Sequence, residues 1–152
     1  MDKKEINTRT LSGWLIPIQI FIILNAISWV RNLQIFYGLL GEKEVLIKSQ
    51  KITNPETYST FIYYELAVSL IFTFLSFVLF YYFFKRNRNF PLMMTIFLIV
   101  EVIAESLSFI LFGSLSGNQE LIIQKLAFSL VVAIIIIVYL KVSQRVKLTF
   151  IH

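Results

Sequence analysis

Four long blocks of hydrophobic residues alternate with short polar segments along the chain. The blocks run from Leu11 to about Tyr37, from Tyr58 to Phe84, from Phe90 to Phe112 and from Leu121 to Leu140. Each block is long enough for a helix across a hydrocarbon core of about 30 Å. A β-barrel would need alternating apolar and polar positions, and runs such as Ala133 to Val138 do not alternate. The pattern predicts an all-α polytopic membrane protein, an antiparallel bundle of four transmembrane helices.

Composition supports this class and leaves room for one domain. Hydrophobic residues make up 57% of the chain, and the mean hydropathy is +0.76. Four spans of about 20 residues each use most of the 152 residues, so residues 1–152 are expected to form a single transmembrane domain. The first block is longer than the apolar core of a signal peptide, and we expect it to be retained as a span.

Helix-start signals precede three of the blocks, and the last of them is Asn118 with Glu120 ahead of the fourth block. Asn54, Pro55 and Glu56 have the order of an N-cap, a first helical residue and an acid in the first turn, so the second helix should begin ahead of its apolar block. Asn89 predicts a similar start for the third helix. The segment from Gly38 to Thr53 is expected to be a loop.

The basic residues indicate the orientation of the bundle. They cluster in the two tails and in the second loop: Lys3, Lys4, Arg9, Lys85, Arg86, Arg88, Lys141, Arg145 and Lys147. Because basic loops stay inside, both termini are expected to be cytoplasmic. The net charge of +5 then reflects topology and contact with anionic lipid of the bilayer, and no nucleic-acid partner is expected.

Sequence signals of catalysis are absent. The chain has no cysteine and a single histidine, His152, and it contains no zinc-protease motif, nucleophile elbow or glycine-rich phosphate loop. Glu101 and Glu105 alone are a weak metal signal, since carboxylate metal sites in bundles add histidines or further acids. We expect neither enzymatic activity nor a cofactor nor a metal site.

The same two glutamates are nevertheless the most informative residues of the chain. They lie one helical turn apart inside the third block, where a charge at the centre of a membrane helix costs roughly 2.5 to 3.5 kcal/mol. Glu101 and Glu105 should therefore face protein or water, and each should have a partner.

Depth along the helices predicts that further charges join them. Arg31, Glu65 and Lys125 should all lie near the non-cytoplasmic edge of the hydrocarbon, with Glu105 in the same half and Glu101 about 6 Å deeper. These five residues are predicted to form an intramembrane charge cluster. Glu105 is expected to pair with Lys125 or Arg31, which leaves Glu101 as the better candidate for a protonated acid.

Polar residues at helical spacing indicate which faces turn inward. The predicted polar lining of the cluster consists of Asn25, Ser69, Thr73, Ser108 and Ser129. Small and hydroxyl residues also favour close helix packing in lipid, so a purely structural role for these stripes stays open.

Motifs at both ends of the chain carry a family resemblance. Leu11–Pro17 (LSGWLIP) and Val138–Phe150 (VYLKVSQRVKLTF) resemble the terminal signatures of domain-of-unknown-function family 2569. The resemblance implies a small four-helix protein of the bacterial cytoplasmic (inner) membrane, and it implies no reaction.

The same motifs predict interface anchors. Trp14 is expected at the cytoplasmic interface, with Arg145 and Lys147 meeting lipid phosphates. In the alternative, the C-terminal segment docks on Gly13 and Trp14 and forms a cap.

Two functions remain open from the sequence. The first is a structural or regulatory interaction protein, whose charge cluster fixes helix register while its surface binds a membrane-protein partner or a second copy. The alternative is a small proton- or cation-linked transporter or channel, or its accessory subunit, that uses Glu101 and Glu105. Four helices enclose little volume, which counts against transport by a monomer.

Overall fold

A computed structural model describes residues 15–48, 54–113 and 119–150, and these residues contain helices but no strand. The helices are α1 (Leu15–Lys48), α2 (Pro55–Phe84), α3 (Phe90–Phe112), α4 (Gln119–Val142) and α5 (Gln144–Phe150). The first four are long and apolar enough to cross a membrane. The predicted all-α architecture with four spans is therefore confirmed.

Local signals explain where the middle helices begin. Asn54 caps α2 as predicted, since its side chain accepts a hydrogen bond from the Thr57 amide at 3.4 Å. Asn89 makes no side-chain cap bond to α3. Instead, the Asn87 side chain accepts a hydrogen bond from the backbone N of Asn89 at 2.9 Å, so Asn87 orders the turn before α3.

The predicted loop after the first span is wrong over most of its length. The helix α1 continues through Gly38 and Gly41 to Lys48, and its candidate membrane span is Leu15–Glu42. Each glycine inside a helix costs about 1 kcal/mol relative to alanine, but the Glu and Lys residues that follow are good helix formers. Residues 49–53 lie outside the described part of the chain.

Packing leaves one gap between neighbouring helices. The helix α1 packs along α2, both α2 and α4 pack against α3, and α5 folds back onto α3. The helices α1 and α4 are not closely packed. A cleft consequently runs between α1 and α4.

One end of the bundle is closed by a cluster that we call the aromatic end. Its buried residues are Leu15, Phe83, Phe90, Leu140, Val146 and Phe150. Phe150 of α5 stacks on Phe90 with ring centroids 4.7 Å apart and lies 5.9 Å from Phe83. The C-terminal segment thus docks on α2 and α3. Gly13 and Trp14, its predicted docking position, lie outside the described residues.

Candidate functional site

Glu101 lies in the middle of α3 and joins this helix to α1. Its side chain is buried, with 9% of the residue surface exposed. Its Oε1 accepts hydrogen bonds from Asn25 Nδ2 at 2.8 Å and from Trp29 Nε1 at 3.0 Å. Since Asn25 and Trp29 are one turn apart on α1, a single carboxylate oxygen receives two donors from the same helix face.

Trp29 extends this network to α2. Its indole ring stacks on Phe72 with centroids 4.7 Å apart, and Phe72 also packs edge-on against Phe97 of α3. Ser76 Oγ donates to the Phe72 carbonyl at 2.8 Å and lies 3.4 Å from Asn25 Oδ1. Trp29 is only 5% exposed, so its ring lies inside the bundle.

Glu105 pairs with Lys125, which was one of its two expected partners. Lys125 Nζ lies 3.2 Å from Glu105 Oε1, with the side chains 65% and 14% exposed. The pair links α3 to α4. The other carboxylate oxygen, Glu105 Oε2, is buried without a hydrogen-bond partner among the described residues.

Glu65 connects α2 to α3 on the same side of the bundle. Ser108 Oγ donates a hydrogen bond to Glu65 Oε1. Next to it, Tyr64 Oη donates to the backbone carbonyl of Ala104 at 3.0 Å. Tyr64 was not among the residues predicted for the charge cluster or its polar lining.

These acids border two connected hollows between the helices. A hollow of about 70 Å³ is lined by Glu65 and Ser108 and reaches Glu105 and Lys125. A second hollow of about 400 Å³ extends from there to Glu101 between α1 and α4, and we call it the polar cleft. The polar side chains of the cleft are Asn25, Ser28, Asn32, Glu101, Glu105, Lys125 and Ser129.

The polar cleft continues into an apolar hollow toward the aromatic end. This hollow of about 190 Å³ is lined by Pro17, Phe21 and Ile136 among others. Phe21 and Val132 border both spaces, so the two follow one another along the gap between α1 and α4.

Arg31 does not join the other four ionisable residues of the predicted cluster. It is exposed and lines a separate groove between α1 and α2. Arg31 follows Trp29 by two positions, which is about 200° around the helix, so it lies on the opposite face of α1. The expected pairing of Arg31 with Glu105 is corrected on this point.

The remaining predicted residues fall in different places. Ser69 Oγ and Thr73 Oγ1 are buried and without hydrogen-bond partners among the described residues. Lys147 is exposed on α5. Trp14 and the side chain of Arg145 lie outside the described part of the structure.

The chemistry available at the cleft is that of hydrogen bonding and charge. In the described parts of the chain, no group of three or more His, Cys, Asp or Glu side chains could hold a metal ion. What the cleft offers is carboxylate acceptors, one lysine and several small polar side chains, all reached from between two helices.

A family model with the description "Protein of unknown function (DUF2569)" matches residues 8–151. The match covers nearly the whole chain, including all four spans and the residues of the polar cleft. No curated protein and no solved structure matches the sequence.

Proposed function

The chain belongs to the DUF2569 family of proteins of unknown function, and from that premise we propose that it is a membrane-embedded interaction protein. Its polar cleft receives one membrane-spanning helix of a partner protein, which carries a hydrogen-bond donor or a basic residue at the level of Glu105. The single observation behind this proposal is the gap between α1 and α4 with buried acceptors at its centre.

The length of the gap supports a helix as the occupant. From Pro17 to Asn32, α1 borders the apolar hollow and then the polar cleft, a distance of about 22 Å along the helix axis. This is most of a hydrocarbon core of about 30 Å. A helix that crosses the membrane fills such a gap over its whole length.

The chemistry of the gap supports the same occupant. Ser28 of α1 and Ser129 of α4 both line the cleft with short side chains, which let another backbone approach closely. Glu105 Oε2 is a buried acceptor that lacks a donor. A donor on the incoming helix would satisfy this oxygen, and a basic residue would balance the excess of carboxylates over the one lysine.

Site-specific photo-crosslinking in native membranes tests the proposal. A photoreactive residue at Ser28 should give one discrete adduct with an apolar segment of another protein, and the same probe at lipid-facing Val131 should not. Ser129→Trp, which fills the cleft, should abolish the adduct, whereas the matched control Ala127→Trp on α4 should leave it. An adduct insensitive to Ser129→Trp, or one made only of this chain or of lipid, would overturn the proposal.

A proton- or cation-linked function is the second candidate, and one observation favours it. Glu101 lies at mid-helix and Glu105 has an oxygen without a partner, and the two acids share one cleft. Flux measured in proteoliposomes should then be lost in both Glu101→Gln and Glu105→Gln. Flux that persists in both variants, or its absence in the wild type, excludes this function.

The cytoplasmic location of both termini, in a bacterial inner membrane, also remains a proposal. It is supported by the basic residues of the α2–α3 turn and the C-terminal segment. The cysteine-free chain permits a direct test with single cysteines and a membrane-impermeant maleimide. Glu56→Cys should be labelled in intact spheroplasts, and Arg88→Cys only after permeabilisation. The reverse labelling pattern would invert the topology.

A further inference from the structure

Arg31 borders a groove on the side of α1 that is turned away from the polar cleft. This groove between α1 and α2 has a volume of about 550 Å³, and we call it the Arg31 groove. Arg31 and Gln34 lie at one end, and the apolar side chains Ile23, Phe77 and Phe80 line the rest.

Arg31 has no protein partner among the described residues, although it lies within a span. Within residues 15–48, 54–113 and 119–150, no ion pair or hydrogen bond reaches it, and the residues three and four positions away are Ile27, Ser28, Gln34 and Ile35, none of them acidic. A lipid-facing cation in the hydrocarbon costs roughly 2.5 to 3.5 kcal/mol. An anion outside the protein would offset this cost.

The depth of Arg31 indicates where that anion lies. Arg31 is about 24 Å along α1 from Leu15, at the aromatic end. With Leu15 taken as one edge of a hydrocarbon core of about 30 Å, Arg31 lies about 6 Å below the opposite edge. A long arginine side chain extends over such a distance to the headgroup region. The anion at this level of a bilayer is a lipid phosphate.

We propose that the Arg31 groove is a binding site for one anionic glycerophospholipid. Its phosphate binds the guanidinium of Arg31 and the amide of Gln34, and one acyl chain lies along Ile27, Ile23 and Phe80. Arginine suits this role because its planar fork of donors matches phosphate oxygens in a bidentate geometry.

The length of the groove matches one leaflet. From Gln34 to Ile23 it follows α1 for about 16 Å, close to half of a core of about 30 Å. The gap between α1 and α4 is longer, and its polar groups extend from its end at Asn32 to Glu101 at mid-helix. In the Arg31 groove, a single cation at one end and an apolar remainder match the headgroup and the acyl chain of one lipid.

Native mass spectrometry of the detergent-solubilised protein with added phosphatidylglycerol tests this site. The wild type should retain one lipid at collision energies that remove loosely attached lipid. Arg31→Gln, which removes the charge, and Ala26→Trp, which fills the groove, should each lower retention about tenfold, the effect of losing a charge-assisted contact. The matched controls Arg88→Gln and Ala67→Trp, both at exposed positions outside the groove, should retain the lipid as the wild type does.

Two further arms separate specific binding from other origins of the signal. Diacylglycerol has the same chains and no phosphate. The wild type should retain it about tenfold less than phosphatidylglycerol, whereas Arg31→Gln should retain the two lipids equally. Equal retention of phosphatidylglycerol by Arg31→Gln and Arg88→Gln would overturn the site. So would a protein dimer that disappears in Arg31→Gln without any change in bound lipid, because the occupant would then be a second copy.

Discussion

The aromatic end and the polar cleft hold the same four helices together by different means. At the aromatic end, the rings of Phe83, Phe90 and Phe150 pack against one another and against neighbouring aliphatic side chains. In the polar cleft, Glu101 and Glu105 connect helices through single hydrogen bonds and an ion pair, and α1 stays apart from α4. The aromatic end is filled, whereas the gap between α1 and α4 is open.

Under the proposed function, the aromatic end stabilises this small bundle and the polar cleft provides its binding surface. Ring packing provides many contacts and no chemistry, which suits an end whose task is to fix the helices. Polar connections hold helices at defined points and leave space between them. A surface that receives a partner helix is accordingly expected in the polar cleft.

The largest effect should come from breaking the aromatic end. Phe90→Ala removes the ring on which Phe83 and Phe150 pack, and we expect a loss of about 3 kcal/mol in the free energy of unfolding. This is the low end for buried Phe→Ala changes, because the unfolded chain still lies in apolar detergent. Reversible unfolding in mixed micelles measures it. The control Phe74→Ala removes a ring that is 66% exposed and should cost less than about 0.5 kcal/mol. Equal losses in the two variants would show that the aromatic end stabilises the bundle no more than an exposed ring does.

At the polar cleft, the free energy of unfolding should depend more on the hydrogen-bond acceptor of Glu101 than on its charge. Glu101→Leu leaves the buried donors of Asn25 and Trp29 unsatisfied and should cost about 1 to 2 kcal/mol. Glu101→Gln keeps a carbonyl oxygen for both donors and should cost well under half as much. If the Gln variant unfolds as easily as the Leu variant in the same assay, Glu101 stabilises the bundle through its charge instead.

A smaller effect is expected where a single hydroxyl links two helices. Tyr64→Phe removes only the donor to the Ala104 carbonyl and should cost about 0.6 kcal/mol, the average for such hydrogen bonds in membranes. Phe61→Leu, nearby on α2, is the comparison for a change in ring packing without a hydrogen bond. A loss of stability in Tyr64→Phe as large as that in Glu101→Leu would show that the Tyr64 hydrogen bond stabilises the bundle as much as the hydrogen bonds of Glu101 do.

The smallest effect should be that of the ion pair at the mouth of the cleft. Lys125→Gln removes the partner of Glu105, but the lysine side chain is 65% exposed and solvent screens the interaction. We expect a change below about 0.5 kcal/mol in unfolding and, under the proposed function, a clear change in cross-linking from Ser28. A large loss of stability would show that Lys125 stabilises the bundle and is not mainly a residue for partner recognition.

Helix boundaries could be predicted where the sequence has local punctuation. The apolar block from Phe90 to Phe112 coincides with α3, and Asn54 caps α2 as its residue type indicates. The end of α1 could not be found in this way. Gly38 and Gly41 suggest a loop, yet both lie in open space where a helix tolerates them.

The level of the site residues along the helices could be predicted from the sequence, but the helix face on which each residue lies could be predicted only in part. Levels along the helices correctly placed Glu105 near Lys125, since both lie near the same end of the bundle. Depth alone grouped Arg31 with them, although its angle on α1 carries it to another face. The contact between Trp29 and Glu101 joins residues from different spans, and one sequence contains no signal for such a pairing.

Under the proposed function, Glu101 acts as a hydrogen-bond acceptor that fixes α1 against α3 and thereby shapes the cleft for a partner helix. The yield of the Ser28 photo-crosslink in Glu101→Gln and Glu101→Leu membranes tests this role. We predict that the Gln variant keeps the wild-type adduct because its carbonyl still accepts from Asn25 and Trp29, and that the Leu variant loses it. Loss of the adduct in Glu101→Gln at unchanged protein level would contradict the claim.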